Sequence, residues 1–202
     1  MVFIRLLEIE RLLLEYRILD RACSYYSICR QLRFMMESIV QAYYVDMEYP
    51  KLDLQGKIRI LKRMKKAKNA IGGSLFREMD LNKRIKIESH DGKEIDLTRL
   101  IKTLYRELSD TVHPDYKDYV PFSENGEEHY FDWISRCILV PNPKLSGYSL
   151  EKLNQVMDIV YLLVFDNFRV FAFVIFGQIE EVLSKTNCLL SLRYIRSFEK
   201  KS

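Results

Sequence analysis

The chain has few of the residues that interrupt helices: seven glycines and five prolines among 202 residues. Residues 2–49 contain neither, which favours long helices with few tight turns. The most apolar region carries charges, and its longest charge-free run, 170–179, is too short to cross a bilayer. Neither a G-x-G-x-x-G motif nor a P-loop is present. These absences argue against a membrane protein and against the common nucleotide-binding folds.

Cysteines are also few, and none of the four forms a C-x-x-C pair: Cys23, Cys29, Cys137 and Cys188. A structural zinc site uses four ligands in closely spaced pairs, so no metal site is predicted, and no cofactor either. The first helical segment places Arg5, Glu8, Glu10 and Arg11 among its apolar residues, whereas a signal peptide has an uninterrupted apolar run. We therefore expect a cytoplasmic protein whose cysteines are reduced thiols in the core.

The composition provides ample material for a core, with 48% hydrophobic and 30% charged residues, and a formal net charge of only +4. The length and the absence of linkers or repeats predict a single domain, 1–202. Helical periodicity dominates, so the fold class expected is all-α, a bundle of about five or six helices. Alternating residues around Asp91–Gly92 predict a small β-hairpin insertion near 84–97.

Three predicted helices place specific residues. The first has an apolar face formed by Phe3, Leu6, Leu7, Leu13, Leu14 and Ile18. The second spans 28–44, and along it Arg33 and Glu37 are four residues apart and can form an ion pair. A later helix is expected to begin at Ser149 as its N-cap.

The segment 97–114, LTRLIKTLYRELSDTVHP, combines an apolar stripe with polar chemistry. Asp96 precedes it as a predicted N-cap, and Pro114 prevents the helix from continuing. Arg106 and His113 are seven residues apart, about two helical turns, so they lie on nearly one face. This places a cation and a titratable imidazole together near the end of a core helix.

A basic helix is predicted over 53–68, with Leu54, Ile58, Leu61 and Met64 facing the core. The opposite face carries a cluster of cations: Lys57, Arg59, Lys62, Arg63, Lys65 and Lys66. Such a face is commonly just solvated. It also fits a surface that follows nucleic-acid phosphates, or one that contacts an acidic protein. Aromatic residues for base stacking are missing, so any nucleic acid would be bound through its backbone.

Two segments resemble the HEPN superfamily (higher eukaryote and prokaryote nucleotide-binding). The segment 105–114, YRELSDTVHP, resembles its R-x(4–6)-H signature, and 32–46, LRFMMESIVQAYYVD, is similar to an upstream core helix bearing an Arg and a Glu. The resemblance implies a homodimeric, metal-independent endoribonuclease whose two motifs meet in a cleft. It implies that His113 is the general acid/base and that Arg106 stabilises charge on the phosphate.

The sequence departs from the commoner form of the motif, because six residues separate Arg106 from His113 and Glu107 directly follows the arginine. Three interpretations therefore stay open: an RNA-cleaving domain, of the kind used in defence or toxin–antitoxin systems; an RNA- or nucleotide-binding relative without catalysis; and ordinary structural roles. In the third, His113 caps the helix, Arg106 pairs with Asp110, and the protein is a helical interaction module with an antitoxin or other protein as partner.

Overall fold

The computed structural model describes residues 1–22, 24–66, 81–89, 91–112, 143–169 and 176–199. Within these ranges the chain forms a bundle of seven α-helices and no sheet, which confirms the predicted fold class with one or two more helices than expected. The helices are α1 (Val2–Arg21), α2 (Tyr25–Glu48), α3 (Leu54–Lys66), α4 (Leu97–Val112), α5 (Pro143–Asn167), α6 (Phe176–Lys185) and α7 (Leu189–Glu199).

Helix α2 is the centre of the bundle, and α1, α3, α4 and α5 all pack against it. Most of the apolar side chains between Ile28 and Val45 have no exposed surface. Polar contacts fix the directions of its neighbours. Helix α1 runs antiparallel to α2. At one end of the pair the Gln31 side chain donates to the Glu15 carboxylate, and at the other end the N-terminal ammonium of Met1 donates to the Asp46 carboxylate. Helices α6 and α7 complete the bundle, with α7 packed on α5 and α6 packed on α7.

The face of α1 that enters the core differs from the predicted one. Its buried residues are Val2, Ile9, Leu12 and Tyr16. Of the residues predicted to face inward, only Leu6 and Leu13 pack partly against the core. The other four lie exposed on the surface: Phe3, Leu7, Leu14 and Ile18. Leu54 of α3 was also expected inside and is exposed.

Helix α4 begins where the sequence predicts. The Asp96 carboxylate accepts the backbone N–H of Arg99 at 2.9 Å, and the Asn82 side chain accepts that of Leu97 at 2.8 Å. These two acceptors satisfy N–H groups that a helix leaves unpaired in its first turn. The β-hairpin predicted near 84–97 is not present in the described residues, which hold only an isolated antiparallel bridge between Glu88 and Glu94.

The start of α5 was predicted wrongly. The helix begins at Pro143, a residue well suited to the first turn because it has no N–H to leave unpaired. Ser149 therefore lies inside the helix, where its hydroxyl donates to the carbonyl of Ser146 at 2.9 Å. It also lies 3.4 Å from the Tyr16 hydroxyl of α1. A serine commonly found at N-caps is here a buried contact between α1 and α5.

Helix α7 is capped by a residue from another helix. The Asp158 carboxylate of α5 accepts the backbone N–H groups of Leu190 and Ser191, both at 2.8 Å, and the Ser191 hydroxyl at 2.7 Å. Before α7, Asn187 has a positive φ of 55°, which ends α6 and turns the chain. Burial raises the pKa of Asp158, even though these donors lower it. The contact fixes α7 on α5.

In the part of the chain with described coordinates, no helix has the length and apolarity needed to span a bilayer. Cys29 and Cys188 are buried free thiols, as predicted, whereas Cys23 and Cys137 lie outside the described residues.

Replacing the capping carboxylate is expected to destabilise the bundle. Asp158→Ala leaves two backbone donors at the buried start of α7 without an acceptor, at a cost of about 2 kcal/mol. Urea unfolding followed by circular dichroism measures this loss. The exposed Glu181→Ala, which removes only a surface pair, is the control and should change the free energy of unfolding by less than about 0.5 kcal/mol. Equal effects of the two substitutions would show that the cap contributes nothing.

Candidate functional site

The two segments that carry the resemblance pack directly against each other. Arg33 of α2 forms the predicted ion pair with Glu37, with Nε 2.9 Å from Oε1. Its Nη2 donates to the hydroxyl of Tyr105 on α4 at 2.6 Å, and its guanidinium lies 4.8 Å from the centre of the Tyr105 ring. Arg33 therefore joins α2 to α4 by a hydrogen bond and a cation–π contact at one point.

The charges of this Arg33–Glu37–Tyr105 cluster are fixed by its surroundings. Burial opposes the charged form of Arg33, but its hydrogen bond to Glu37 and the Tyr105 hydroxyl prevail and raise the pKa of the guanidinium. Burial, together with the Glu37 carboxylate, also raises the pKa of Tyr105. The tyrosine thus stays protonated at neutral pH, and the cluster is a fixed cation–carboxylate pair with a neutral hydroxyl beside it.

Arg106 is exposed because the residues on both sides of it are held by other helices. Successive residues of an α-helix are turned by about 100°, so Tyr105 and Glu107 point in well-separated directions. Tyr105 contacts Arg33 on α2, and Glu107 contacts α5. Arg106 lies between them on the outer surface. Its guanidinium is accessible to an anion that approaches the bundle from solvent.

Glu107 is neutralised by a lysine from α5. Lys152 Nζ lies 2.6 Å from the Glu107 carboxylate and donates to the Gln155 side chain at 3.1 Å. The same ammonium sits 5.2 Å from the centre of the Tyr148 ring. Lys152 is buried whereas Glu107 is half-exposed. The carboxylate that follows Arg106 in the sequence is therefore directed toward α5 and has its own counter-charge.

The other predicted catalytic residue, His113, lies outside the described residues, so the structure does not place it relative to Arg106. The predicted structural alternative, an ion pair between Arg106 and Asp110, does not form in the described part of α4, where both residues are exposed. Ser109, one turn after Arg106, donates its hydroxyl to the backbone carbonyl of Tyr105 at 2.7 Å. It is bound to its own helix.

The basic helix α3 presents part of the predicted cationic face. Arg59, Lys62 and Arg63 are exposed and lie within about 100° of one another around the helix. Lys57 differs: its Nζ donates to the Asp46 carboxylate at 2.7 Å, so it holds α3 on α2. The structure does not describe the side chains of Lys65 and Lys66.

The basic face and the Arg33–Glu37–Tyr105 cluster lie at different levels of the bundle. Lys57 contacts α2 at Asp46, thirteen residues after Arg33. At a rise of 1.5 Å per residue this is a separation of about 20 Å along the axis of α2. A ligand that touched both regions would have to be extended along the bundle.

A groove of about 650 Å³ lies between α4, α5 and the start of α7. Its charged lining has two cations, Arg99 and Lys152, and four carboxylates: Asp96, Glu107, Glu151 and Asp158. Lys152 is already paired with Glu107. Carboxylates repel the phosphates of a nucleotide, so this groove is unsuited to binding one. Arg106 lies on the surface outside this groove, and Arg99 and Lys102 of α4 are exposed as well.

Tyr105 and Lys152 were not singled out from the sequence. Tyr105 lies directly beside Arg106, but its contact depends on α2 and α4 being neighbours. A signal for Lys152 was present, because it lies four residues before the buried Val156 on the inward face of α5. A lysine at such a position needs a counter-charge from a neighbouring helix, but periodicity does not identify which residue supplies it.

Comparison with protein-family models, with curated proteins and with solved structures found no match. In the described ranges, no three His, Cys, Asp or Glu side chains are grouped so as to hold a metal ion.

The Glu107–Lys152 pair is expected to show energetic coupling. In a double-mutant cycle of Glu107→Ala and Lys152→Ala, we expect about 1 kcal/mol, less than a fully buried charged hydrogen bond because Glu107 is partly solvated. Urea unfolding of the four proteins gives this value. The exposed Lys185–Glu181 pair is the matched control, with coupling below about 0.5 kcal/mol. A coupling energy no larger than that of the control pair would show that Glu107 and Lys152 do not form a stabilising ion pair.

Proposed function

We propose that the protein is a HEPN-like RNA-binding or metal-independent RNA-cleaving domain that acts as a homodimer, of the kind used in defence or toxin–antitoxin systems. The observation that carries the proposal is the position of Arg106. It is an exposed arginine without an ion pair among the described residues, beside a carboxylate that is bound elsewhere. Its guanidinium offers a fork of donors that fits phosphate oxygens.

The contact between the two resembling segments supports the same proposal. The resemblance includes an upstream core helix that bears an Arg and a Glu. In this chain Arg33 of that helix pairs with Glu37 and donates to Tyr105, one residue before Arg106. The cluster holds this part of α4 on α2, so the backbone at Arg106 is in place before an RNA binds. Such preorganisation lowers the cost of binding and of charge stabilisation.

In the proposed reaction, His113 acts on the RNA as general acid/base. The 2′-oxygen attacks the adjacent phosphorus as the bond from phosphorus to the 5′-oxygen breaks, which gives a 2′,3′-cyclic phosphate and a 5′-hydroxyl. His113 either takes the proton of the 2′-hydroxyl or gives a proton to the leaving 5′-oxygen, and water carries the other proton transfer. Arg106 stabilises the negative charge that grows on the phosphate oxygens. An imidazole suits this role because its pKa lies near neutral pH. No metal ion or cofactor is required by this scheme.

The exposed cations of α3 supply the binding surface in this proposal. Helix α3 contains no aromatic residue, so Arg59, Lys62 and Arg63 would contact phosphates rather than bases. Lys57 is excluded from this role since its charge is used on Asp46. An RNA that touched both α3 and Arg106 would extend about 20 Å along the bundle, roughly six nucleotides of a helical strand.

The alternative is a non-catalytic helical module that binds another protein through its basic face. The observation that favours it is the set of contacts made on both sides of Arg106, because Tyr105 and Glu107 both hold helices together. In this case Arg106 is an ordinary surface residue. Replacing it would affect neither RNA binding nor RNA cleavage.

An RNA cleavage assay in the presence of EDTA tests the proposal. The wild type should cleave RNA, whereas Arg106→Ala and His113→Ala should lower the rate at least about 100-fold, the usual contribution of such groups. Their melting temperatures should stay close to that of the wild type. The control Lys185→Ala removes one exposed positive charge on α6 and should cleave at the wild-type rate.

Three results would count against catalysis by Arg106 and His113. Cleavage that survives in both variants would place the active site elsewhere. Absence of cleavage by the wild type, with RNA binding that Arg106→Ala does not weaken, would favour the interaction module. Binding without cleavage, weakened by Arg106→Ala, would retain the RNA-binding half of the proposal and reject the catalytic half.

A further inference from the structure

Three positively charged residues form a row along the outer surface of α4: Arg99, Lys102 and Arg106. All three are exposed, and at about 100° per residue they fall within about 60° of one another around the helix. At a rise of 1.5 Å per residue, this α4 cation row is about 10 Å long. Asp110, about one turn after Arg106, has the opposite charge and ends the row. Arg106 is therefore the last member of a line of positive charge.

The α4 cation row is not neutralised by the carboxylates around it. None of its side chains forms an ion pair with a described residue, whereas an exposed cation such as Lys185 contacts a glutamate. Asp96 lies near the row but is bound as the helix cap: it accepts the Asn82 side chain at 2.8 Å and the backbone N–H of Arg99 at 2.9 Å. The Asn82 hydrogen bond lowers the pKa of Asp96, and the charges of Arg99 and Lys102 also contribute. The positive charges of the row stay accessible from solvent.

The spacing of the α4 cation row costs helix stability. Lys102 is three residues after Arg99 and four before Arg106, the two spacings at which helical side chains are neighbours, and like charges at these spacings repel. Arg99 also lies in the first turn of α4, where the helix dipole favours a carboxylate over a cation. A ligand with several negative charges relieves this repulsion, so the row favours the binding of a polyanion.

The surroundings of the row confine a polyanion to a narrow line. On one side α4 packs on α2 through the contact of Tyr105 with Arg33. On the other side lies the groove between α4, α5 and α7, whose carboxylates include Glu107 and Glu151 and repel phosphates. The remaining line is about 10 Å long, which corresponds to about three nucleotides of one helical strand.

The chemistry of the row fits a nucleic-acid backbone better than an acidic protein. In the described ranges, none of the large exposed apolar side chains belongs to α4. Protein contacts are usually built around a buried apolar or aromatic centre, which this surface does not offer. Phosphates require only charge and donors, which two arginines and a lysine supply. The aromatic residue of α4, Tyr105, is bound to Arg33, so the row offers no stacking platform for bases.

We propose that a single strand of RNA lies along the α4 cation row, with successive phosphates in contact with Arg106, Lys102 and Arg99. The inference rests on the proposed function for RNA as the ligand, and it adds Arg99 and Lys102 to the binding residues. The phosphate that contacts Arg106 is then held in place by the binding of its neighbours along the same helix.

Binding of a short single-stranded RNA tests the arrangement, measured by fluorescence anisotropy with the full chain. A 2′-O-methyl RNA is the probe, because it has no 2′-hydroxyl and so separates binding from cleavage. Combining Arg99→Ala with Lys102→Ala should lower the slope of log affinity against log salt by about 1.4, and the affinity in 0.1 M salt about 25-fold. Combining Arg17→Ala with Lys185→Ala removes two exposed cations of α1 and α6 and should change neither value.

Lys102→Glu separates binding from stability. The new carboxylate lies three residues after Arg99 and four before Arg106, so it replaces two repulsions by two attractions. The melting temperature should stay the same or rise, while the affinity for the RNA in 0.1 M salt should fall at least about five-fold.

Three results would overturn the proposal. If the row variants bind as the wild type does while Arg106→Ala binds more weakly, the strand does not follow α4, and the proposed function still stands. An equal loss of affinity in the control variant would show that only the net charge matters. A wild type that does not bind the RNA would overturn both this arrangement and RNA binding as the function.

Discussion

The structure depends on the burial of α2 from almost every side. Helix α2 has 24 residues and no glycine or proline to interrupt it. Its apolar residues lie on most sides of the helix rather than in one stripe. It therefore needs several helices around it at once. Helices α1, α3, α4 and α5 meet this need, and each is fixed on α2 by a polar contact at the edge of the core. The candidate site follows from this arrangement, since α4 meets α2 at Arg33.

Buried polar groups give the apolar packing its specificity. Asp166 of α5 receives hydrogen bonds from the hydroxyls of Tyr43 and Tyr194, and Arg169 donates to it at 3.0 Å. Burial and this carboxylate raise the pKa of both tyrosines, so they remain donors at all ordinary pH values. The contact ties α2, α5 and α7 together at one level, and Asp158 joins α5 to the start of α7. Such fully paired groups fix one arrangement where an apolar core alone would allow several.

Sequence patterns predicted where helices lie along the chain better than which side of each helix faces the core. The Asp96 cap and the apolar stripe of α4 were predicted correctly because both are local. The inward face of α1 was predicted wrongly, since the helix has apolar residues on two sides. Periodicity does not show which side is covered. Ser149 failed as an N-cap because Pro143 allows an earlier start. The Glu107–Lys152 pair joins residues 45 positions apart, and nothing local in the sequence predicts it.

The central claim is that exposed cations on this bundle bind an RNA backbone, and the salt dependence of RNA binding tests it most directly. Fluorescence anisotropy with a single-stranded RNA gives the slope of log affinity against log salt, which changes by about 0.7 per phosphate contact. Combining Arg59→Ala, Lys62→Ala and Arg63→Ala should reduce the slope by about 2. A control that combines Lys86→Ala, Lys93→Ala and Lys185→Ala should leave it unchanged. Equal reductions in the two proteins, or wild-type binding that salt does not weaken, would contradict the account.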